Sequence, residues 1–155
     1  LYAENDLRLD KYFAETDEKG FRKNKKAGSN NYLCTFRVGE IYLTAAEAAA
    51  RLGELSQART RLLELMRKRY APEAYEAKSV VVNAMDKEAL VQEILDERAR
   101  ELAFEGHRWF DLRRSTRPRL EKVLDGTRYV LEENDARYTL AIPKEAIEAN
   151  PGLLN

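Results

Sequence analysis

Residues Glu93–Arg114, EILDERARELAFEGHRWFDLRR, decide the fold of this chain. Apolar residues recur at helical spacing just before and within this stretch, at Val91, Ile94, Leu95 and Leu102. The stripe predicts a long amphipathic helix, but two positions on the same stripe hold Arg98 and Glu105. A charge that faces a core is costly unless it is paired and hydrogen-bonded. The stretch therefore predicts a helix whose buried face carries a specific ion-pair network.

The composition excludes several classes of protein. The 155 residues are enough for one domain with a moderate core. Because 27 basic residues balance 27 acidic ones, the chain lacks the one-sided basic field of a nucleic-acid or anionic-membrane surface. No apolar run is long enough to span a bilayer, and the start, LYAENDLRLD, has no signal-peptide pattern. The chain does not begin with Met, so we expect Leu1 to follow a cut site and not a gene start.

Two residues that often carry chemistry occur once each. The single cysteine, Cys34, excludes an internal disulfide and a multi-cysteine metal cluster, and we expect it to be a small buried hydrophobe. The single histidine, His107, follows a helix-breaking glycine, which favours a surface or capping role over a metal ligand. The residues therefore imply no metal and no cofactor.

A helical hairpin is predicted over residues 37–70. Its first helix has an apolar stripe at spacings of three and four, formed by Val38, Ile41, Tyr42, Ala45, Ala49 and Leu52. Gly53 ends that helix, a second helix follows at once, and Ala71-Pro72 is expected to stop it. Residues 71–85 are predicted to be a connection with a brief extended piece at 80–82.

The third helical segment is predicted over 86–115, capped by Asp86 and broken at Gly106. Pro118 is expected to open a short helical turn that Asp125-Gly126 closes. Strands are predicted at 128–131 and 137–142 around a turn at 132–135. The predicted layout is thus an irregular lead-in (1–36), a helical hairpin (37–70), a long broken helix (86–115), and a hairpin with a C-terminal tail (127–155).

The helical hairpin has the layout of one tetratricopeptide unit. The pattern Ala-x-x-x-Leu-Gly-x-Leu-x-x-Ala occurs at Ala48, Leu52, Gly53, Leu55 and Ala58, where such a unit turns and packs. The long helix at 88–105 would stack on this pair. The predicted fold is mainly all-α, a tetratricopeptide-like helical stack with a small C-terminal β-hairpin.

Four stretches, in this order, resemble the C-terminal portion of the SusD/RagB family of nutrient-binding outer membrane lipoproteins. They are Asn5-Asp6-Leu7-Arg8; Arg37-x-x-Glu40-Ile41-Tyr42-Leu43 with Ala46-Glu47-Ala48; Glu97-Arg98-x-x-Glu101-Leu102-x-x-Glu105-Gly106-x-Arg108-Trp109-x-Asp111-Leu112-x-Arg114; and Ile142-Pro143-x-x-Ala146-Ile147-x-x-Asn150-Pro151-x-Leu153. The third stretch is the most specific. Ala146 departs from the pattern, since the family more often has an acidic residue there.

The resemblance implies a function that the composition does not. Family members are several-fold longer, carry a lipoprotein signal with an acylated cysteine, and are exposed on the cell surface. They serve polysaccharide utilisation by binding oligosaccharides or other nutrients for a SusC-like TonB-dependent transporter, without catalysis. This chain is then expected to be a fragment that lacks the anchor, and Cys34 is not the acylated cysteine. We further expect that removing the preceding helices exposes the apolar faces of residues 38–52.

The charged residues of the third stretch are predicted to be structural. Glu97, Glu101 and Glu105 form a row along one helix, whereas a glycosidase needs two carboxylates across a cleft. Nearby arginines would keep the row ionised, which does not suit a general acid. The predicted ion-pair network comprises Arg37, Glu40, Glu47, Glu97, Arg98, Glu101, Glu105, Arg108 and Asp111. Arg98 is expected to bond Glu40, Glu47, Glu105 or Asp111 on a neighbouring element.

Two hypotheses about binding remain open. Tyr75 is the candidate ligand-binding aromatic, since it falls in the predicted connection 71–85, whereas core packing is favoured for Trp109. The alternative function is a tetratricopeptide-type protein–protein adaptor. It requires polar side chains exposed on one concave surface, with Arg51, Arg59 and Asn83 as candidates.

Overall fold

The computed structural model describes residues 1–26, 37–150 and 152, so Cys34 lies outside the described residues. The chain divides into two compact units, Leu1–Arg108 and Trp109–Asn155. Among the described residues are seven α-helices and two antiparallel strand pairs. The prediction of a mainly α fold with a small C-terminal hairpin is confirmed.

The first unit begins with short elements and continues with four longer helices. In chain order they are α1 (Arg8–Tyr12), β1 (Phe13–Thr16), β2 (Arg22–Asn24), α2 (Val38–Leu52), α3 (Leu55–Met66), α4 (Pro72–Ala84) and α5 (Lys87–Glu101). Next comes α6 (His107–Arg114), which begins at the end of this unit. The second unit then has β3 (Leu120–Leu124), β4 (Thr127–Leu131), a 3-10 turn (Ala136–Tyr138) and α7 (Lys144–Ala149).

The core of the first unit lies between α2, α3 and α5. Gly53 has φ +87°, the left-handed conformation that lets α2 end and α3 begin at once. The fully buried core side chains include Leu43, Ala46, Ala50, Ala58, Leu62, Met66, Leu90 and Ile94. Burying each leucine or isoleucine stabilises the fold by about 1.5–3 kcal/mol. The alanines of α2 leave room for both neighbouring helices to approach it closely.

The predicted core stripe of α2 was partly wrong. Val38, Ile41 and Leu52 are 70 %, 63 % and 78 % exposed, and the buried apolar face runs through Leu43 and Ala46 instead. The helix is apolar on two faces, so its periodicity alone does not say which face meets α3 and α5. Part of the apolar surface of residues 38–52 is therefore exposed in this structure.

Residues 71–85 were predicted as a connection, and this was wrong. They form α4, with Pro72 in its first turn, where the missing amide hydrogen costs nothing. The preceding helix ends at Met66, before the Ala71-Pro72 pair that was expected to stop it. Val82 is buried in the core while Val80 and Val81 are exposed, so packing of one helix face overrides the preference of valine for strands.

The lead-in is more ordered than predicted. Within residues 1–26, α1 is followed by the β1–β2 pair, in which Phe13 faces Asn24 and Thr16 faces Arg22. The backbone before α1 pairs with the end of the α3 region: the Leu7 amide donates to the Arg69 carbonyl at 2.9 Å. This pairing holds the N-terminal segment against the helical core.

The C-terminal hairpin lies one strand earlier than predicted. β4 matches the predicted strand 128–131, but it pairs with β3, and residues 136–138 form a 3-10 turn where the second strand was expected. Asp125 and Gly126 have φ of +48° and +77°, the combination a two-residue hairpin turn requires, so they join strands and do not close a helix. None of the described helices is long and apolar enough to cross a membrane.

Candidate functional site

The charged face of α5 is the most unusual feature of the first unit. Glu97 and Glu101 lie one turn apart, and both side chains are fully buried. Asp86 begins the helix by accepting a hydrogen bond from the Ala89 amide at 2.9 Å, which fixes where the first turn starts. Because buried carboxylates need partners, the neighbouring segments must bring cations to this face.

Three arginines from three separate segments bind the carboxylate of Glu101. Arg69 binds it with two parallel hydrogen bonds, Nε to Oε2 at 2.8 Å and Nη2 to Oε1 at 2.9 Å. Arg37, directly before α2, donates to Oε1 at 2.9 Å, and Arg8 of α1 donates to Oε2 at 3.2 Å. The single carboxylate thus ties α1, α2 and the end of the α3 region to α5.

Arg8 is the buried cation at the centre of the cluster. Its guanidinium donates two hydrogen bonds to the carboxylate of Asp6, from Nε to Oδ1 at 2.9 Å and from Nη2 to Oδ2 at 2.8 Å. It also forms an ion pair with Glu97 at 2.7 Å and donates to the Tyr70 hydroxyl at 3.0 Å. That hydroxyl donates in turn to Glu97 Oε2 at 3.0 Å. Charge-assisted pairs of this fork geometry are among the strongest in proteins.

The outer members of the cluster balance its charge. Arg100 bridges Glu97 (2.8 Å) and Glu93 (2.6 Å), and Glu105 pairs with both Lys26 and Arg37. Among the described residues, this buried network contains five carboxylates, Asp6, Glu93, Glu97, Glu101 and Glu105, and five cations, Arg8, Lys26, Arg37, Arg69 and Arg100. Its formal charges cancel, which is what burial requires.

The environment shifts the pKa of several members. Burial alone would raise the pKa of the Glu101 carboxyl, but Arg69, Arg8 and Arg37 outweigh it and hold that pKa below its ordinary value. Burial lowers the pKa of the Lys26 ammonium group, although its pair with Glu105 opposes the shift. Burial also raises the pKa of the Tyr2 hydroxyl to about 12. Glu101 is therefore held ionised, which is unsuited to proton donation at neutral pH.

The structure brings four of the predicted residues together in the buried network: Arg37, Glu97, Glu101 and Glu105. The contacts of the other five include the following. Arg98 is 6 % exposed, lies 3.9 Å from Glu40 and donates to the Thr44 hydroxyl at 3.2 Å. Glu47 accepts from Arg51 at 2.9 Å, Arg108 lies 3.8 Å from Asp96, and Asp111 of the second unit accepts from Arg114 at 2.6 Å.

Sequence reasoning did not assign six of the ten members to the network. These are Asp6, Arg8, Lys26, Arg69, Glu93 and Arg100, although Asp6 and Arg8 belong to the first stretch of the resemblance. Sequence reasoning also missed Gly39, at which an added Cβ would lie 2.7 Å from Glu101 Oε1. A glycine in the first turn of an otherwise alanine-rich helix was the available signal for this close approach.

The candidate aromatic residues lie on helices. Tyr75 is on α4, not in a loop, and is partly buried against the core beside a surface cleft. Trp109 stacks on Tyr138 within the second unit, with ring centroids 5.1 Å apart and planes 10° apart. Arg59, required to be exposed by the adaptor hypothesis, donates to the Met85 carbonyl at 2.6 Å, directly after α4.

The family model described as the SusD family matches residues 2–155 of the chain. The chain belongs to the SusD family. A comparison with curated proteins returned no match. In this SusD family chain, the buried network lies within the matched region and joins segments far apart in sequence.

Proposed function

We propose that this chain is a non-enzymatic part of a cell-surface protein that binds nutrients, most specifically oligosaccharides, for a SusC-like TonB-dependent transporter. The observation that carries the proposal is the match to the SusD family over residues 2–155. In this proposal the complete protein is a lipoprotein of the outer membrane. Its lipid anchor tethers it beside the transporter, so that a captured nutrient has only a short distance to travel.

The geometry supports a scaffolding role for this part of the protein. Glu97 and Glu101 are each paired with arginines and lie on the same helix, so they do not face each other across a substrate. The predicted network as a whole is proposed to hold the helices in a fixed relation. Rigid support of this kind lets a binding surface keep its shape, which lowers the entropic cost of binding.

The adaptor hypothesis has less support. Of its three candidate residues, Arg51 and Asn83 are exposed, whereas Arg59 is partly buried and donates to the carbonyl of Met85. A guanidinium engaged at the end of a helix is not available to a peptide without giving up that bond.

The proposed function is tested by affinity capture from detergent-solubilised outer membranes of the source bacterium. The baits are the complete protein and, in parallel, residues 1–155. Recovery of a large β-barrel transporter with the complete protein is the expected result. Recovery with residues 1–155 as well would locate the docking surface on this chain, most simply on 37–70 or 88–105. Recovery of a soluble partner without any transporter would overturn the proposal in favour of the adaptor.

Catalysis is tested separately by incubating the purified protein with the oligosaccharides it retains. Unchanged chain lengths are expected. Reproducible hydrolysis by the pure protein would contradict the non-enzymatic proposal.

A further inference from the structure

A surface cleft of about 480 Å³, whose lining includes none of the ten network residues, lies between α2, α3 and α4. Its volume falls within the range of small-molecule sites. The side chains that give it chemical character are Tyr42, Thr60, Glu64, Arg67, Lys68 and Tyr75. It thus combines two aromatic rings with hydroxyl groups and charges of both signs.

The two cleft tyrosines differ from the other buried tyrosines of the protein. The hydroxyls of Tyr2, Tyr12, Tyr70 and Tyr138 all donate to carbonyl or carboxylate oxygens. The rings of Tyr42 and Tyr75 pack against the core, but within residues 1–26 and 37–150 neither hydroxyl has a hydrogen-bond partner. A tyrosine whose ring packs against the core and whose hydroxyl is unbonded offers a ligand both a rigid apolar surface and a hydrogen-bonding group.

The cations of the cleft are also available. Arg67 and Lys68 are exposed and form no ion pair with any other residue that the structure describes. Glu64 is already 3.4 Å from Arg61, outside the cleft. Two cations and one carboxylate line the cleft, so its net charge is positive, which favours a ligand that carries an anionic group.

We propose that this cleft binds an acidic oligosaccharide. A sugar ring would lie against a tyrosine face, its hydroxyls would bond the free phenol groups and Thr60, and its carboxylate or sulfate would pair with Arg67 and Lys68. Aromatic faces suit the apolar faces of sugar rings, and charge-assisted hydrogen bonds suit the anion. This inference rests on the proposed function and assigns to it a ligand class and a site.

The test is calorimetric titration of the complete protein with trigalacturonate, a sulfated trisaccharide and a neutral galactose trisaccharide. One variant is Arg67→Gln/Lys68→Gln, which removes the charges. A second is Tyr42→Phe/Tyr75→Phe, which removes the hydroxyls and keeps the ring packing. The matched control is Lys122→Gln/Tyr129→Phe on the exposed hairpin of the second unit. Circular dichroism verifies that each variant is folded.

The expected result is that at least one acidic trisaccharide binds more tightly than the neutral one. The charge variant should raise its Kd by about tenfold, the loss of about 1.4 kcal/mol, and the tyrosine variant should also weaken binding. The control should bind like the unchanged protein, and added salt should weaken binding. Whether the carboxylate or the sulfate is preferred identifies the anion.

Equal affinity for the acidic and neutral sugars, or an unchanged Kd in the charge variant, would overturn the cleft proposal. If a glycan still binds in that case, the proposed function stands and its site lies elsewhere. If the complete protein binds no glycan and captures no transporter, the proposed function fails together with the cleft.

Discussion

The absence of a side chain at Gly39 admits the carboxylate of Glu101 to the first turn of α2. A Cβ atom at position 39 would lie 2.7 Å from Glu101 Oε1 and 3.1 Å from its Cδ and Cγ. The carboxylate cannot retreat easily, since Arg8, Arg37 and Arg69 hold it. One glycine therefore sets the distance between α2 and the buried network.

Gly39→Ala should destabilise the protein by about 1–3 kcal/mol, the usual cost of overpacking a core. At an unstrained helical site alanine is more stable than glycine by about 1 kcal/mol. A loss of stability in Gly39→Ala would therefore be opposite to the effect of helix propensity. Urea unfolding measures the change. The control is Ala48→Gly, the reverse change at an exposed position of the same helix. Ala48→Gly should destabilise the protein through helix propensity alone. A Gly39→Ala variant that is more stable than the unchanged protein would contradict the close contact with Glu101.

Glu101→Gln should destabilise the protein by about 3–5 kcal/mol, because it leaves buried arginines without their shared charge. Glutamine has nearly the same shape as glutamate, so the loss of stability measures the effect of removing the charge and not a change in volume. The matched control is Glu148→Gln, which removes an exposed carboxylate 3.6 Å from Lys144. Exposed pairs contribute little, so no measurable change in the urea midpoint is expected there. Equal effects of the two substitutions would refute a special role for the network.

Stability should fall on acidification through Glu101. Its pKa is lower in the folded protein than the ordinary value of 4.5, so below pH 4.5 the unfolded chain takes up the proton first. Its contribution is complete above pH 4.5 and is lost as the pH falls through the folded pKa. The difference in unfolding free energy between the unchanged protein and Glu101→Gln should therefore narrow progressively as the pH falls below 4.5. A difference that stays constant over this range would exclude the linkage.

The exposed apolar stripe of α2 should make the 155-residue chain self-associate. Val38, Ile41 and Leu52 are exposed apolar side chains on one helix, and water disfavours such surface. Ile41→Lys/Leu52→Lys should reduce the association seen in sedimentation velocity while leaving the urea midpoint nearly unchanged. Val123→Lys, at an exposed apolar position of the hairpin, is the control. Association that is insensitive to the α2 substitutions would place the contact elsewhere.

Local signals predicted some elements well and others poorly. The helices ending at Gly53 and beginning after Asp86 were predictable because a left-handed glycine and a capping carboxylate act within one turn. The segment 71–85 was not, since three successive valines favour a strand until a neighbouring core buries one of them. In the second unit, the Asp125-Gly126 pair is a strong hairpin signal that was interpreted as the end of a helix.

For the candidate binding residues, too, the sequence predicts one part and the tertiary structure decides the other. Tyr75 could be named from its type, but its free hydroxyl and its neighbour Tyr42 across the cleft depend on how α2, α3 and α4 meet. Their spacing along the chain does not indicate this proximity. The assignment of Tyr75 to a ligand site remains a prediction.

By itself, the sequence determined the helical periodicity, the family, and the need for cations opposite the carboxylates of α5, because each depends on residue type and local spacing. The tertiary structure decided which cations pair with these carboxylates. Arg8 and Glu101 are separated by 93 positions in the chain and yet bond at 3.2 Å. Partner choice across a core depends on which segments pack together, and that is a property of the whole fold.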